Sequence, residues 1–356
     1  MNRRRLVRGL VAISVCRFTA ARIATAEPRS GLPAEYRQAR GSTATASLSA
    51  SGPVRSTADG QTIENLDIDA RSGAGIVVTH AAVTVRRCRI RHAGGPGLRA
   101  EGAVKLRLDA VEIDHVGAPY TGAAADAHLN NIELNNCPGA VITRVRALRG
   151  SANIYLLRCP EARLSDLELH DARGPAPRGQ NVQLHRSPAS VLEDFSAENG
   201  PLSWTEDNVS IFRSDRCIVR RGLVSYNNSP TGDGVMIEGS SECLVEDVDA
   251  VQQGNGAFAA VPQGDAACGD CTFRRCRTRD TYNAPRDGRA APTSNGLSFY
   301  TRVSPGAKKH TILDCHYDAL ANPHNLIWDA RAVNEAWSIS PQVFIARSPV
   351  RLAFGW

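Results

Sequence analysis

Short apolar segments recur along the chain at a regular spacing. A motif of two apolar residues separated by two others occurs ten times, at intervals of 22 to 39 residues. The motifs begin at Ile63, Val85, Leu108, Ile142, Leu164, Leu192, Val219, Val245, Phe273 and Ile312. A Gly or Asn directly before an apolar-x-apolar segment occurs once per repeat, at Gly75, Gly97, Asn131, Asn153, Asn181, Asn208, Gly234, Gly256, Gly296 and Asn325. Because two independent columns keep step, each repeat is predicted to be one structural unit.

Each unit is predicted to hold three short strands. One strand ends at the apolar motif, one follows three residues later, as at Leu167 and Leu169, and one follows the Gly or Asn, as at Val182 and Leu184. Side chains along such strands alternate between inward and outward. Gly and Asn tolerate left-handed backbone, which predicts a tight turn at their column. Units of this kind stack into a parallel β-helix, a solenoid that shares one core.

Over about residues 60–330, the coil repeat and the Asn/Gly turn column resemble the pectate-lyase-like superfamily of right-handed parallel β-helix proteins. The resemblance implies an all-β fold, a right-handed parallel β-helix (solenoid) of about ten three-strand coils. That superfamily includes polysaccharide lyases, glycoside hydrolases, esterases and epimerases, besides non-catalytic members. The resemblance is therefore specific for the fold and does not fix the activity.

Outside the repeat, the sequence predicts three further segments. Residues 1–26 have a basic start, an apolar middle and a small-residue cleavage site, so they are typical of an export signal, and "RRRLVR" resembles the twin-arginine type. Residues 27–60 are predicted to be a linker or N-terminal cap, residues 61–330 the β-helix, and residues 331–356 a C-terminal cap. Since no later stretch approaches 18 uninterrupted apolar residues, we expect an exported protein, periplasmic or secreted, with no transmembrane segment.

The net charge of +6 comes from the predicted signal, which holds six arginines and no acidic residue. Without it, 36 basic residues face 36 acidic ones, so we expect no nucleic-acid partner.

Insertions between motifs fall mostly on one edge of the predicted solenoid. The longest are "GAPYTGAAADAHL" at 117–129 and "TYNAPRDGRAAPTS" at 281–294, with "ARGPAPRGQ", "ENGPLSWTED" and "YNNSPTGD" between them. Variable loops on one face usually form the binding face of a repeat protein. The loops therefore predict a trough, and the resemblance implies a polysaccharide as its ligand.

Two aspartates, Asp207 and Asp233, directly precede the turn column in adjacent coils, where stacking brings them about 4.8 Å apart. Two close carboxylates share a proton, bind a cation, or act as acid and nucleophile. The alternative is that Asp caps the turn through its own backbone, as the Asn255 and Asn295 expected at the same position would do.

The Asp233–Gly234 pair is similar to the "N-T-D-G" element of polygalacturonases. That family's next coils supply an Asp pair and a Gly-His-Gly, where this chain has "QGNGAF" and "TSNGLSF". Polygalacturonase chemistry is therefore not supported.

A lyase needs a base near C5 of the sugar and a cation that neutralises the uronate carboxylate. The candidate catalytic residues are Asp207, Asp233, Glu238, His185 and Tyr226. The candidate substrate-binding residues are Arg158, Arg186, Arg213, Trp204 and Asn255. Calcium is the candidate cofactor, and its candidate ligands are Glu206, Asp207 and Asp233. The arginines form an outward column that suits an anionic ligand, although solvated turn arginines would form the same column.

Charged residues that follow the apolar motifs alternate in sign from Asp194 onward, through Arg221, Asp247 and Arg275. We expect these residues to form a ladder that fixes coil register, with Arg221 near Asp194 or Asp247. The strand at Val235 and Ile237 is expected to bury both residues and to expose Met236 and Glu238.

Cysteines share columns too. Cys217, Cys243 and Cys271 are predicted at one inward position, and Cys137 and Cys159 at one turn position. Cys268 and Cys271 have the CxxC spacing of metal sites, but the sequence shows no nearby histidine or second pair. Stacked free thiols are expected, although adjacent rungs are close enough for disulfides.

The resemblance and the one-sided trough imply an exported protein that acts on an extracellular polysaccharide, and we expect it to cleave a uronate-containing chain by a lyase reaction in preference to hydrolysis. The alternative is a non-catalytic glycan-binding or cell-envelope scaffold protein.

Overall fold

The computed structural model describes residues 47–117, 129–174, 179–200, 203, 205–227, 229, 231–281, 296–318 and 326–339. Within these ranges the chain forms two parallel sheets of 14 and 11 strands, which wind as a right-handed parallel β-helix. The strands of the larger sheet are β1 (Ser49–Ser51), β3 (Thr62–Glu64), β4 (Leu66–Ala70), β6 (Thr84–His92), β8 (Arg107–His115), β10 (Val141–Leu148), β12 (Arg163–His170), β14 (Val191–Glu198), β16 (Ile218–Asn227), β18 (Leu244–Gln253), β20 (Thr272–Arg274), β21 (Arg277–Arg279), β23 (His310–Asp318) and β25 (Val333–Ile339).

The smaller sheet takes one short strand from each coil. Its strands are β2 (Val54–Arg55), β5 (Ile76–Val78), β7 (Leu98–Glu101), β9 (Ile132–Asn135), β11 (Ile154–Leu157), β13 (Val182–His185), β15 (Val209–Phe212), β17 (Asp233–Glu238), β19 (Gly256–Val261), β22 (Leu297–Thr301) and β24 (Ile327–Trp328). A short 3-10 turn, Ala330–Ala332, precedes β25.

Two of the three predicted strands in a coil are joined into one bent strand. In β10 the bend is at Arg144, whose φ is 52°, and the residues on both sides of it pair with β12. One left-handed residue turns the chain sharply without ending the ladder, so both segments stay in the larger sheet.

The predicted coil alignment is confirmed from the first motif through the coil of Asp233. Ile142 pairs with Leu164, Leu164 with Leu192, and Leu192 with Val219. In the smaller sheet, the residues after Asn153, Asn181, Asn208 and Gly234 pair in the same way.

After Asp233, the predicted turn column is wrong by one residue at Gly256 and by two residues at Gly296. Val235 pairs with Phe258, so Asp233 pairs with Gly256 and not with Asn255. Gly256 in turn pairs with Leu297. The shift places the rings of Phe258 and Phe299 inside the solenoid, where they stack at 5.1 Å, and burial of two aromatic rings outweighs the Gly and Asn turn preference.

One continuous apolar core fills the solenoid. Val235 and Ile237 are fully buried in it, as predicted. Met236 points away from this core, but it is also buried, because it packs in a separate cluster with Ala259 and Val261 on the outer face.

The predicted charge ladder is confirmed. Arg221 lies 2.7 Å from Asp194, and Arg275 lies 2.8 Å from Asp247. These side chains are 25 to 44% exposed, so each pair contributes only about 0.2–1 kcal/mol to folding stability. Their main role is to fix the register of the coils.

The sheets extend beyond the predicted ends of the repeat. Ser49–Ser51 and Val54–Arg55 pair with β4 and β5, and Val333–Ile339 pairs with β23. The predicted export signal, residues 27–46 of the linker and the end of the C-terminal cap lie outside the described residues. The described part of the chain has no helix of the length and hydrophobicity needed to cross a membrane.

Candidate functional site

A groove of about 710 Å³ runs along the outer face of the smaller sheet. Its floor consists of outward residues from successive strands, and its margin comes from the segments that enter them. The residues that line it include Glu133, Tyr155, Gln180, Gln183, His185, Glu206, Phe212, Glu238 and Gln263. The two longest predicted loops lie almost entirely outside the described residues.

Each of the three glutamates in the groove accepts a hydrogen bond from a side-chain amide. Asn130 donates to Glu133, Gln180 to Glu206, and Gln263 to Glu238, each at 3.1 Å. Amides and carboxylates together offer the donors and acceptors that sugar hydroxyls require.

Tyr155 and His185 meet on the groove floor. The hydroxyl of Tyr155 lies 3.2 Å from Nδ1 of His185. The ring of Phe212 packs edge-on against the other side of His185, with centroids 4.9 Å apart. The imidazole is therefore held between an aromatic ring and a hydroxyl, which fixes its orientation.

The His185 imidazole is neutral at physiological pH. Burial lowers its pKa from the usual 6.5, and the charges of Arg186, Arg213 and Arg158 lower it further. A neutral imidazole can accept a proton, so His185 has the protonation state of a general base.

The arginine column lies where the sequence predicted it. Arg158, Arg186 and Arg213 directly follow the strands of three consecutive coils, and all have positive φ near 50°. Two of them have protein partners: Arg158 donates to Asn136 at 2.8 Å, and Arg213 pairs with the exposed Asp265 at 2.7 Å. Arg158 and Arg186 are exposed, so their guanidinium groups can also meet an anionic ligand.

Glu238 lies in the same column as His185, two coils further on, with Phe212 between them, as predicted. Burial raises the pKa of Glu238, and the hydrogen bond from Gln263 opposes this shift. A raised pKa favours the protonated form, which is the form that can donate a proton to a ligand oxygen.

Asp207 and Asp233 stack at one position in adjacent coils, as predicted, but their side chains are buried and do not line the groove. Burial raises the pKa of both carboxyl groups well above the usual value, and the neighbouring glutamates add to the shift. Oδ2 of Asp233 has no hydrogen-bond partner among the described residues. The Oδ1 of Asp207 accepts the backbone N–H of Asp233 in the next coil, so this carboxyl joins two coils and does not bond the backbone of its own turn.

Asn255 is buried and its side-chain amide contacts the carboxyl group of Asp233. Its Nδ2 donates to the Thr231 carbonyl at 2.9 Å and approaches Oδ1 of Asp233 at 3.4 Å. The aligned residue in the next coil is Gly256, where an added Cβ would lie 2.1 Å from Oδ1 of Asp233. The missing side chain at 256 thus provides the space that the Asp233 carboxyl occupies.

The other predicted site residues are dispersed. Tyr226 is 1% exposed and does not reach the groove, and Trp204 lies outside the described residues. The structure does not bring Glu206, Asp207 and Asp233 together as a cation site. In the described ranges, three side chains that could ligate a metal do come together elsewhere: the ligand atoms of Cys268, Cys271 and His310 lie within 4.8 Å of one another.

Sequence reasoning missed Tyr155, Gln183 and Glu133. All three occupy the middle outward position of a strand that follows an Asn of the turn column, and they pair with one another across β9, β11 and β13. They form a second outward column, two residues before that of His185 and Glu238, and the alternation of side chains along a strand predicts it.

No family model matches the sequence, and no curated protein matches it. Solved structures do match by fold. The catalytic domain of a GH87 alpha-1,3-glucanase in complex with tetrasaccharides aligns with a TM-score of 0.58 and 8% identity over 85% of this chain and 62% of that one. The Dettilon tailspike protein aligns with a TM-score of 0.56 and 13% identity, over 82% of this chain and 61% of that one.

The tailspike of Pseudomonas phage phi297 gives a TM-score of 0.51 and 13% identity, over 72% of this chain and 43% of that one. The chain therefore spans less than two thirds of these structures. At such identities the likeness shows the fold alone, which is a right-handed parallel β-helix.

Proposed function

We propose that this protein is exported, binds an extracellular polysaccharide along the groove, and cleaves a uronate-containing chain by β-elimination. The observation that carries the proposal is the contact between Tyr155 and His185 beside the arginine column. The glucanase domain of similar fold is complexed with tetrasaccharides, which supports a carbohydrate ligand for a β-helix of this kind.

In the proposed reaction, Nδ1–H of His185 donates to the Tyr155 oxygen, which leaves the Nε2 lone pair free. Nε2 takes the proton from C5 of the uronate, and the C5–H electrons form the C4–C5 double bond as the C4–O bond breaks. The Tyr155 hydroxyl gives its proton to the leaving oxygen. The proton that His185 gained returns to solvent, and Tyr155 is reprotonated from solvent, so the charges balance.

The arginines supply the charge that this reaction needs. Removing a proton next to a carboxylate builds negative charge on that carboxylate, and guanidinium groups stabilise it. Arg158 and Arg186 are exposed beside His185, where they can contact the carboxylate.

The test is to incubate the purified full-length protein with a set of polyuronates and to follow the ultraviolet absorbance of the unsaturated product, with calcium and with a chelator. We expect cleavage of at least one polyuronate, and a loss of about 100-fold or more in His185→Asn, the range typical of a general base. Tyr155→Phe should lose activity too, whereas the buried Tyr226→Phe should retain it.

The second candidate is a non-catalytic glycan-binding protein. The amide-rich lining of Gln180, Gln183 and Gln263 favours it, because amides bind hydroxyls without performing chemistry. Binding of a polyuronate without any unsaturated product would establish this alternative and overturn the lyase proposal.

A further inference from the structure

Cys268, Cys271 and His310 form a cluster at the turn that follows the smaller-sheet strand β19. Their ligand atoms all lie within 4.8 Å of one another, and all three side chains are 0% exposed. The two cysteines are three residues apart, whereas the histidine comes from the next coil, which explains why the sequence did not reveal it. The expectation that no histidine lies near this CxxC is therefore wrong.

The histidine is exceptional in its column. The equivalent inward position of earlier coils holds a small residue, namely Ala162, Ser190, Cys217, Cys243 and Cys271. At the next rung the chain has His310, an imidazole ring that shares the interior with two thiols.

The His310 ring is oriented by the backbone. Its Nε2 lies 2.7 Å from the carbonyl oxygen of Arg302 and 3.9 Å from Sγ of Cys268, and its Nδ1 accepts the backbone N–H of Cys271 at 3.2 Å. A metal-binding histidine usually donates one ring N–H to a carbonyl or carboxylate, which fixes the tautomer and directs the other nitrogen to the metal. Here that other nitrogen is Nδ1, which accepts the backbone N–H of Cys271, so a bound ion would replace this hydrogen bond.

The backbone around the CxxC is held close to the strand of His310. A Cβ at Gly269 would lie 2.6 Å from that of Ala307 and 3.0 Å from the carbonyl oxygen of Lys308, so the turn fits only without a side chain there. Lys308 also forms an ion pair with Asp270 at 2.9 Å. Both contacts connect the segment that carries the thiols to the segment that carries the imidazole.

We propose that Cys268, Cys271 and His310 bind one thiophilic divalent ion, with zinc as the natural candidate. Two thiolates and a neutral imidazole are ligands that zinc prefers, at about 2.3 Å for sulfur and about 2.0 Å for nitrogen. Tetrahedral angles at these lengths separate the ligand atoms by roughly 3.5–3.8 Å, so binding needs small movements of the side chains. Two thiolates cancel the charge of a divalent ion, which makes the site compatible with complete burial.

Binding releases two protons, one from each thiol, and involves no oxidant or reductant. This site is independent of the groove and of any reaction there.

The earlier coils show which residues can replace the two cysteines conservatively. Ser187, Ser214 and Ser240 occupy the position of Cys268 in earlier coils, where each accepts a backbone N–H from the coil before it. Ser190 occupies the position of Cys271. Cys268→Ser and Cys271→Ser should therefore fold, and they remove a metal ligand with little change in packing.

The experiment is to prepare the full-length protein reduced and metal-free, and to titrate it with zinc and separately with cobalt. We expect one equivalent of zinc by elemental analysis, and the thiolate-to-cobalt charge-transfer band of a cobalt ion that is bound by cysteine. Cys268→Ser and Cys271→Ser should each lose the bound equivalent and the charge-transfer band. The matched control Cys217→Ser, two coils earlier in the column of Cys271, should retain both.

Three outcomes would overturn the proposal. The reduced wild-type protein takes up no metal; or its metal content is unaffected by Cys268→Ser and Cys271→Ser, which indicates adventitious binding elsewhere; or the control Cys217→Ser loses the metal as well. In each case His310 would be a hydrogen-bonded core residue. Circular dichroism on every variant verifies that a lost equivalent does not reflect unfolding.

Discussion

The Oδ1 of Asp207 accepts the backbone N–H of Asp233 at 2.7 Å, inside the solenoid wall and out of reach of the groove. Two aspartates that stand at one position in adjacent coils thus join those coils from within. The carboxyl groups are buried next to each other, and burial raises the pKa of both.

We expect Asp233→Asn to stabilise the protein at neutral pH. A carboxyl whose pKa is raised in the folded state keeps its proton after the unfolded chain has lost it, so its contribution is fully present below the unfolded pKa of about 3.9 and is lost as pH rises towards the folded value. The asparagine has no such dependence and keeps an oxygen for Asn255. Urea unfolding at several pH values should show the advantage of the variant growing by about 1.4 kcal/mol per pH unit in that window.

The same variant tests the catalytic hypothesis for Asp233. Unchanged turnover of a cleaved substrate by Asp233→Asn would assign the residue to the turn. Lost turnover in a fully folded variant would return it to the reaction and contradict the role that its burial indicates.

Ile237→Ala should lower the free energy of unfolding by about 2–5 kcal/mol, because Ile237 is fully buried between Ile211 and Ala260 of the neighbouring coils. Ile237→Val should cost about 0.5–1.5 kcal/mol. Denaturant titration measures both values. Val104→Ala, at a side chain that is 41% exposed, is the control and should change little. An unchanged midpoint for Ile237→Ala would contradict the inward assignment.

Arg277 and Asp249 form an ion pair between β21 and β18 that is almost completely buried, with 2.6 Å between Nε and Oδ1. Removing one partner leaves an uncompensated buried charge, so Arg277→Met should cost about 3–5 kcal/mol. The double variant Arg277→Met with Asp249→Leu should recover much of that loss. Denaturant titration of the single and double variants provides the comparison, and an equal loss in both would show that the pair acts through packing alone.

The sequence predicts the solenoid well because its two periodic columns report directly on backbone stacking. Ile142, Leu164 and Leu192 pair as their spacing indicates, and Arg221 meets Asp194. The alignment fails where packing competes with turn preference. Burial of the Phe258 and Phe299 rings moves the column away from Gly256 and Gly296, although both glycines fit the sequence pattern.

The candidate site is less predictable for a different reason. A motif near a turn does not tell whether its side chain points into the groove or into the wall: Glu238 and His185 line the groove, whereas Asp233 and Tyr226 are buried away from it. Contacts between coils, such as Tyr155 with His185 or Cys271 with His310, join residues 30 or more positions apart. They depend on rotamers and coil register together, which no local pattern encodes.

The charge of Arg186 should influence the pH dependence of the proposed cleavage, because it lowers the pKa of His185. His185 acts as a base only when it is neutral, so kcat/KM should rise with pH through the pKa of His185 in the free enzyme. Burial and the nearby arginines lower that pKa below 6.5, so the acidic limb of the profile should lie below this value. Arg186→Gln removes the largest of the charge effects on His185. The limb should therefore move to higher pH, and KM for a polyuronate should rise because an anion-binding group is lost.

Arg216→Gln is the matched control, since Arg216 is also an exposed arginine with positive φ at a turn and has no part in the shift of His185. Its acidic limb should coincide with that of the wild type. If Arg186→Gln raises KM and leaves the limb in place, the titrating base is a group other than His185, and the assignment of the Tyr155–His185 contact as the proton-transfer pair would fail while the binding role of the arginine column would stand.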